Sequence, residues 1–498
     1  MAILQYKLKC IMKTYMSCLV ATITFLLVTS CSLTNDIENQ DNSVLEKRYT
    51  IDRAWSYDTV ASPEQWKQYH SLDEKFEACQ IPATVLSEMT TNALVKTCVA
   101  HPLANIYSAY GNRLNGIGVF ADRFNAFQEL LTRSDAAETF VEVYSNVKVT
   151  ADYCNPYTMG NTFMLSSLSV GFLELLMGSG LFPDIISPIN RQKLREIAEK
   201  RINDLQESHQ EYSYLSIEGA LFLLALCELQ DDEIDTDKAQ SILSELRSKY
   251  EAMSSTKAYL GTTTLYTPFG QSVQGRLYSE VSDNEKAALL YYYTTYFPNA
   301  NVVDQPSGTY NGNSYAWNMS EGGVACWLYP YTISGGSNIE KYWTQDYYDS
   351  CSSSIASRVV YDDKDHSALY YPATGTCISK WDNGPLMEHS LADCPFPSND
   401  VHYYGQIPHW SAMTIPTNII VGVPSQFSIG WPATRSDVTC IWEIYDHNEQ
   451  EAGFSHIPNG RFDTITFTKA DAFEIYCYVY WNETNELIGW GSGQVIVS

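Results

Sequence analysis

The chain has 498 residues, of which 58 are acidic and 31 basic, for a formal net charge of −27. A surface this acidic repels phosphates and anionic headgroups, which excludes nucleic acid as a partner and charge-driven membrane binding as an anchor. The length suits about three domains, and the ordinary apolar content supplies their cores.

The N-terminus reads as an export leader. Met12-Lys13 opens a second start, and an apolar stretch follows from Cys18 to Val28. It closes on Val28-Thr29-Ser30-Cys31, small residues set just before a cysteine. A positive start, a short apolar core and a small-residue cut site mark a signal peptide. The run falls short of the roughly 20 residues that a spanning helix needs. Residues 1–30 are therefore expected to be a lipoprotein signal peptide, with a lipid on Cys31 and more than one acyl chain for stable anchoring. Loss of Lys7, Lys9 and Lys13 with the leader leaves 28 basic residues against 58 acidic ones, or −30. The acidic tether Ser32-Leu33-Thr34-Asn35-Asp36-Ile37-Glu38 resembles the surface-export signal of Bacteroidetes lipoproteins. The resemblance implies anchoring to the bacterial outer membrane, extending to the cell surface.

Ten cysteines remain beyond Cys31, and none forms a C-x-x-C pair, so neither a zinc site nor a thioredoxin-like motif is expected. Export permits disulfides, but the scatter specifies no pairing. The 36 Tyr and 11 Trp suit a binding surface for a glycan or peptide, and equally a β-rich exported fold.

Along the chain, residues 31–75 read as an acidic tether that becomes ordered near its end. Residues 76–255 read as an all-α helical domain. Ile117, Phe120, Phe124, Phe127 and Leu131 follow the spacing of one buried helix face. Asp135 and Glu138 form a capping-box pattern before Phe140, Val141 and Tyr144. Residues 163–177, broken by three serines and Glu174, read as a core helix. Stripes at Leu194–Leu205, Leu221–Leu226 and residues 239–250 complete the set. No repeat of fixed period appears, which favours an irregular bundle over a regular solenoid.

The character changes near Ser254. A β-like segment at Thr262–Pro268 precedes a helix capped by Ser282 with Glu285 three residues on. Mixed α and β signals then run to about residue 412. Residues 413–498 alternate as short strands, at 425–431, 438–445, 465–467, 473–481 and 493–497, which predicts a β-sandwich. Its Trp442 and its Tyr476/Cys477 strand resemble an immunoglobulin-like or PKD-like module. Cys440 and Cys477 fall on neighbouring strands there and could pair. The fold class expected is thus multidomain α+β.

The middle region carries a series of short motifs. Gly308-Thr309-Tyr310-Asn311-Gly312-Asn313-Ser314-Tyr315-Ala316-Trp317 is followed by Asp365-His366-Ser367-Ala368, then Ser379-Lys380-Trp381, and closes on Cys394-Pro395-Phe396. Together they resemble a family of uncharacterised secreted bacterial domains with a T-Y-N-C-H-x-Y-A-W block, a D-H-S-A block, an S-K-W block and a closing C-P-Y. The resemblance spans about residues 260–400, within an expected domain of residues 256–412. It implies a papain-like cysteine hydrolase. There a cysteine sits at a helix N-terminus that stabilises its thiolate, a later histidine serves as base, and a polar residue on the next strand orients the histidine.

By position these roles fall on Gly312, His366 and Ser379, with Asn313 in the neighbouring histidine position. Glycine has no side chain to attack with. Ser314 is rotated by about 200° around the helix and faces away. No catalytic residue is expected, and His366 reverts to a structural strand histidine or to a vestigial ligand-binding cleft. Trp317, Trp381 and His389 are the expected lining of such a cleft, and Lys380 reads as a solvated side chain over an aromatic. No phosphate loop or metal-spaced cluster stands out, so neither cofactor nor metal is expected. The leading expectation is a non-catalytic binding or scaffolding lipoprotein. The alternatives are an active amidase or peptidase with a relocated nucleophile, and a structural lipoprotein that only docks onto a larger envelope complex.

Overall fold

The computed structural model describes residues 49–498 apart from 61, 151–156, 160–161, 208–213, 230–257, 269, 345, 347, 362–363, 407–408, 431–437, 483–484 and 486. The leader, Cys31, the tether to residue 48 and the expected helical stripe at 239–250 lie outside the described residues. Residues 49–498 form one compact unit of mixed helices and sheets.

The first part is rich in helices, but it is not all-α. Strands β1 (Val147–Thr150), β2 (Tyr157–Met159) and β3 (Thr162–Ser166) form a three-stranded sheet in the order β1-β3-β2. The apolar run at 163–177, expected as a single helix, therefore begins as strand β3. Its serines mark the change. Ser166 caps the helix Ser167–Gly178 by accepting from the Ser169 amide at 3.2 Å, as a short hydroxyl does at an N-terminus.

The helix expected over 117–131 is two helices, Arg113–Arg123 and Asn125–Leu130, broken where Phe124 turns extended. The break is tertiary in origin. Asn125 bonds Gln80 and Ile81 through its backbone N–H and both side-chain polar atoms, at 2.8 to 3.1 Å, and so leaves the helical ladder. The expected Asp135 capping box does not form, because the Asp135 carboxylate accepts instead from Thr91 Oγ at 2.7 Å. The Ser282 cap does form, with Ser282 Oγ accepting from the Glu285 amide at 3.1 Å at the head of the helix Asp283–Tyr296.

Strands β4 (Tyr259–Tyr266), β5 (Ser272–Tyr278) and β7 (Trp327–Leu328) make a second small sheet. The central sheet has seven strands. They are β6 (Asn301–Asp304), β8 (Tyr348–Ser350), β9 (Arg358–Tyr361), β10 (Ser367–Tyr371), β11 (Thr376–Lys380), β12 (Leu386–Ser390) and β13 (Val401–Gln406). Their spatial order is β6-β12-β11-β10-β9-β13-β8, with antiparallel pairing throughout.

One continuous core joins the helices to this sheet. It runs from Val60 through Tyr107, Phe120 and Leu173 to Tyr293, Val359, Cys377, Trp381 and Phe396. The regions expected as separate domains at 76–255 and 256–412 thus share their apolar interior. A second core holds Trp317, Tyr342 and Tyr348 together with Phe427, Trp442, Phe467 and Ile475 of the C-terminal region.

That region is two four-stranded sheets. One contains β14 (His409–Trp410), β17 (Val438–Asp446), β20 (Ala472–Trp481) and β21 (Leu487–Ile496). The other contains β15 (Met413–Thr414), β16 (Ser425–Ile429), β18 (Phe454–Asn459) and β19 (Phe462–Phe467). Alternate residues of both sheets enter the shared core, as period-two alternation requires. The sequence reading missed β18, whose residues 456–459 alternate poorly and end on Pro458-Asn459.

Glu174 is fully buried in the helix Ser167–Gly178, accepting from Tyr144 Oη at 2.7 Å beside the Arg201 guanidinium at 3.3 Å. Burial pushes its carboxyl up from 4.5 to about 7, ahead of the opposing pull of Arg201 and Tyr144. The folded chain then holds this proton through a range where the unfolded chain has lost it. Stability from this group is accordingly greatest below about 4.5 and declines as pH rises to about 7. Glu174→Gln should remove that decline. Its unfolding free energy relative to the parent should move in the variant's favour by on the order of 2–3 kcal/mol between pH 4.5 and 8, read by urea denaturation at each pH.

Candidate functional site

The motif residues converge at one place. Asn311 caps the short helix Gly312–Trp317, its Oδ1 accepting from the Ser314 amide and from the Leu328 amide, both at 3.0 Å. Its Nδ2 donates to Leu328 O at 2.9 Å, so one side chain ties the helix start to β7. This sets Gly312 in the first turn, against the entry to β10.

His366 lies directly opposite. A Cβ built on Gly312 would stand 2.7 Å from both Cε1 and Nδ1 of His366 and 2.9 Å from the Lys380 carbonyl oxygen. The ring therefore fills the space that a nucleophilic side chain would occupy. Behind it the Phe396 ring stacks at 3.6 Å and 11°, and Tyr361 packs at 5.2 Å. Only 2% of His366 is exposed, and its Nε2 is buried with no hydrogen-bond partner among the described residues. Burial pushes the imidazole well below its ordinary range, with nearby His389 adding to the effect. The ring is a neutral, packed aromatic.

Ser379 does not orient it. The Ser379 hydroxyl lies 2.8 Å from His389 Nε2, and Trp381 Nε1 donates to Ser379 Oγ at 3.1 Å. His389 Nδ1 lies 2.8 Å from the Ser390 carbonyl. A carbonyl only accepts, so Nδ1 carries the ring proton and Nε2 accepts from Ser379. The single hydroxyl proton of Ser379 is spent on His389. That ring is buried and pushed down to about 4 by desolvation.

The other motif letters bind structure. Asn313 is wholly buried, donates to Lys364 O at 3.1 Å and to Leu328 O at 3.3 Å, and accepts from Ser367 Oγ at 2.6 Å. It thereby holds the loop that carries His366. Asp365 Oδ2 accepts from the Asn112 amide at 2.8 Å, joining that loop to the helix Arg113–Arg123.

Lys380, expected as a solvated side chain, is fully buried. Its ammonium donates to Ser307 O at 2.9 Å, Asp382 O at 2.6 Å and Gly384 O at 2.5 Å. Three donations use the three protons of an ammonium, and they tie the loop after β6 to the turn between β11 and β12. Arg113, not singled out from sequence, reaches the same turn. Its guanidinium pairs with the Asp382 carboxylate and, at 3.3 Å, with Glu218. Its helix carries an arginine at each end, Arg113 and Arg123, so the residue pattern alone does not single out the buried one.

No hydroxyl or thiol among the described residues bonds His366 Nε2. Ser314 Oγ contacts Cys326 Sγ at 3.5 Å. Cys394 Sγ bonds Tyr361 Oη, Leu391 O and Phe396 O at 3.4 to 3.5 Å, and burial pushes the thiol up to about 12. Burial also raises the Cys326 thiol.

Of the three residues expected to line a cleft, Trp381 and His389 pack against each other, but Trp317 lies in a different core. Trp317 packs with Tyr342, Trp343 and Tyr348 in the second core. Trp381 packs with Tyr293, Phe297 and His389 in the first. Both indoles are buried, because each is needed to fill the core on its own side of the sheet. Among the described residues no group of three or more His, Cys, Asp or Glu is arranged to hold a metal ion. No protein-family model, no curated protein and no solved structure matches the chain.

Gly312→Ala should destabilise the fold by about 1–3 kcal/mol, the usual cost of overpacking. Adding His366→Ala should relieve part of that overlap. Urea unfolding of both single variants and the double variant should show the double losing less than the sum of the singles. Strict additivity would mean that the ring is not the obstacle.

Proposed function

We propose that this chain is an exported, non-catalytic binding or scaffolding lipoprotein. It is anchored to a bacterial outer membrane through Cys31, with a degenerate papain-like domain at its centre and an immunoglobulin-like sandwich at its C-terminus. The observation that carries this reading is the closeness of His366 to Gly312. The base of a cysteine hydrolase needs a thiol beside it and an open approach for substrate. Here the imidazole stands where the thiol would be and is sealed beneath Phe396. General-base chemistry has neither a proton to take nor a route for the acyl group.

The motif residues support the same reading, because each has a structural bond that accounts for it. Asp365 holds a helix start, Ser367 holds Asn313, Ser379 holds His389, and Lys380 holds a turn. The competing reading, an amidase or peptidase with a moved nucleophile, needs Ser314 or Cys326 to reach His366, and these two contact one another instead. A retained ligand, glycan or peptide, would then be met on the outer surface. At −30 the mature chain favours neutral or basic ligands over nucleic acid. The antiparallel pair of β17 and β20, with Trp442 opposite Cys477, is the feature behind the immunoglobulin-like assignment.

Two measurements test this. The purified chain and its Gly312→Cys variant should both leave peptide and peptidoglycan substrates uncleaved above background. Turnover by the native chain would overturn the non-catalytic reading. In cells, radiolabelled palmitate should enter the native chain and the Gly312→Cys variant alike. Cys31→Ser should abolish the label and release the chain from the membrane fraction, and a labelled, membrane-bound Cys31→Ser would sink the anchor.

A further inference from the structure

Two cysteines of the C-terminal sandwich take no part in the site described above. Cys440 lies on β17 and Cys477 on β20, and the register sets Cys440 opposite Val479 and Trp442 opposite Cys477. The two thiols are therefore diagonal neighbours across an antiparallel pair. Residues two apart on a strand share a face, so Cys440, aligned with Val479, faces the same way as Cys477. That face is the inner one. Trp442, Ile444, Cys477 and Val479 all belong to the core between the sheets, and Cys440 packs against it. Diagonal neighbours across an antiparallel pair stand about 7–8 Å apart at Cα, so a bridge requires the two strands to draw slightly together, and the two thiols interact with one another electrostatically.

Their environments differ in a useful way. Cys440 is half-buried and open to a reagent, whereas Cys477 is wholly buried and has Cys440 beside it. We propose that Cys440 and Cys477 are a dithiol–disulfide pair that closes across β17 and β20 when offered a disulfide donor, with Cys440 as the attacking thiol and Cys477 as the resolving one.

The exchange balances as follows. The Cys440 thiolate attacks one sulfur of a small-molecule or protein disulfide, and that donor's other half leaves as a thiolate. Cys477 gives its proton to the leaving thiolate and attacks the Cys440 sulfur, expelling the donor's second half. The donor gains two electrons and two protons and becomes two thiols, and the protein loses the same. The contact with Cys477 draws the Cys440 thiol below its ordinary value while it raises Cys477, which suits the order of attack. Closure would fasten two long paired strands of the sandwich, β17 and β20, on the core side. The loop so closed, residues 441–476, contains β18 and β19 of the facing sheet.

The test uses the full chain, reduced and then incubated with oxidised glutathione. Remaining thiols are blocked with iodoacetamide in denaturant, and the digest is mapped by mass. The expected result is a cross-linked peptide joining Cys440 to Cys477, two hydrogens lighter than its parts and lost on reduction. The melting temperature should rise by several degrees, and the rise should vanish with dithiothreitol. Two results would overturn the proposal: both cysteines carrying the blocking group, or Cys440 held as a glutathione adduct that never passes to Cys477. Because the donor is added to purified protein, the outcome is independent of the export and anchoring proposed above.

Discussion

The His366 imidazole lies between the Cα of Gly312 and the face of Phe396, and the surrounding structure is built around that contact. On one side the absence of a Cβ lets the ring approach the helix Gly312–Trp317 more closely than any other residue would allow. On the other the Phe396 ring closes over it at van der Waals distance. A buried imidazole at this position must be neutral, and it is held there by packing, since Nε2 has no hydrogen-bond partner among the described residues. An unpaired buried nitrogen costs about 1–3 kcal/mol, which the aromatic contacts and the filled volume offset.

The loop that presents this ring is held by polar bonds made within the interior. Asn313 clamps it from the helix, Asp365 ties it to the Asn112 amide, and Ser367 returns a bond to Asn313. Below it, Lys380 donates to two carbonyls of the turn after β11 and to Ser307 O of the loop after β6, and Arg113 pairs with Asp382 in that turn. Asp382 adopts a left-handed backbone with φ of 54°, unusual for a residue with a side chain. The Arg113 pair on its carboxylate and the Lys380 bond on its carbonyl hold it there. Breaking such a buried pair from one side costs about 3–5 kcal/mol, because it strands the remaining charge. Arg113 comes from the helical part and Asp382 from the central sheet, so this pair also joins the two halves of the first core.

Much of the local structure was legible in the chain. The alternation at 438–445 and 473–481 located β17 and β20, because period-two burial is a short-range pattern. Ser282 was readable as a cap because a cap needs only its own turn. The serines at 166–169 were seen as interruptions and not as a helix start, since the strand before them is fixed by pairing with β1, which periodicity cannot show. The break at Phe124 and the missing Asp135 cap share that cause: a side chain from a distant segment took the hydrogen-bonding group that the local rule assigned elsewhere. Ser379 is a further case. Its place on a strand was readable, but that its proton goes to His389 depends on the β11–β12 register.

The residues by themselves determined that no side chain stands at position 312, that the chain is strongly acidic, and that residues 413–498 alternate as strands. Those are properties of single positions and short windows. Only the tertiary structure decided that His366 occupies the space next to Gly312, that Lys380 is buried, and that Trp317 and Trp381 fill separate cores and do not line a common cleft. Each of these depends on which distant backbone comes to lie beside a side chain, and close packing admits one arrangement of neighbours where the sequence pattern admits many.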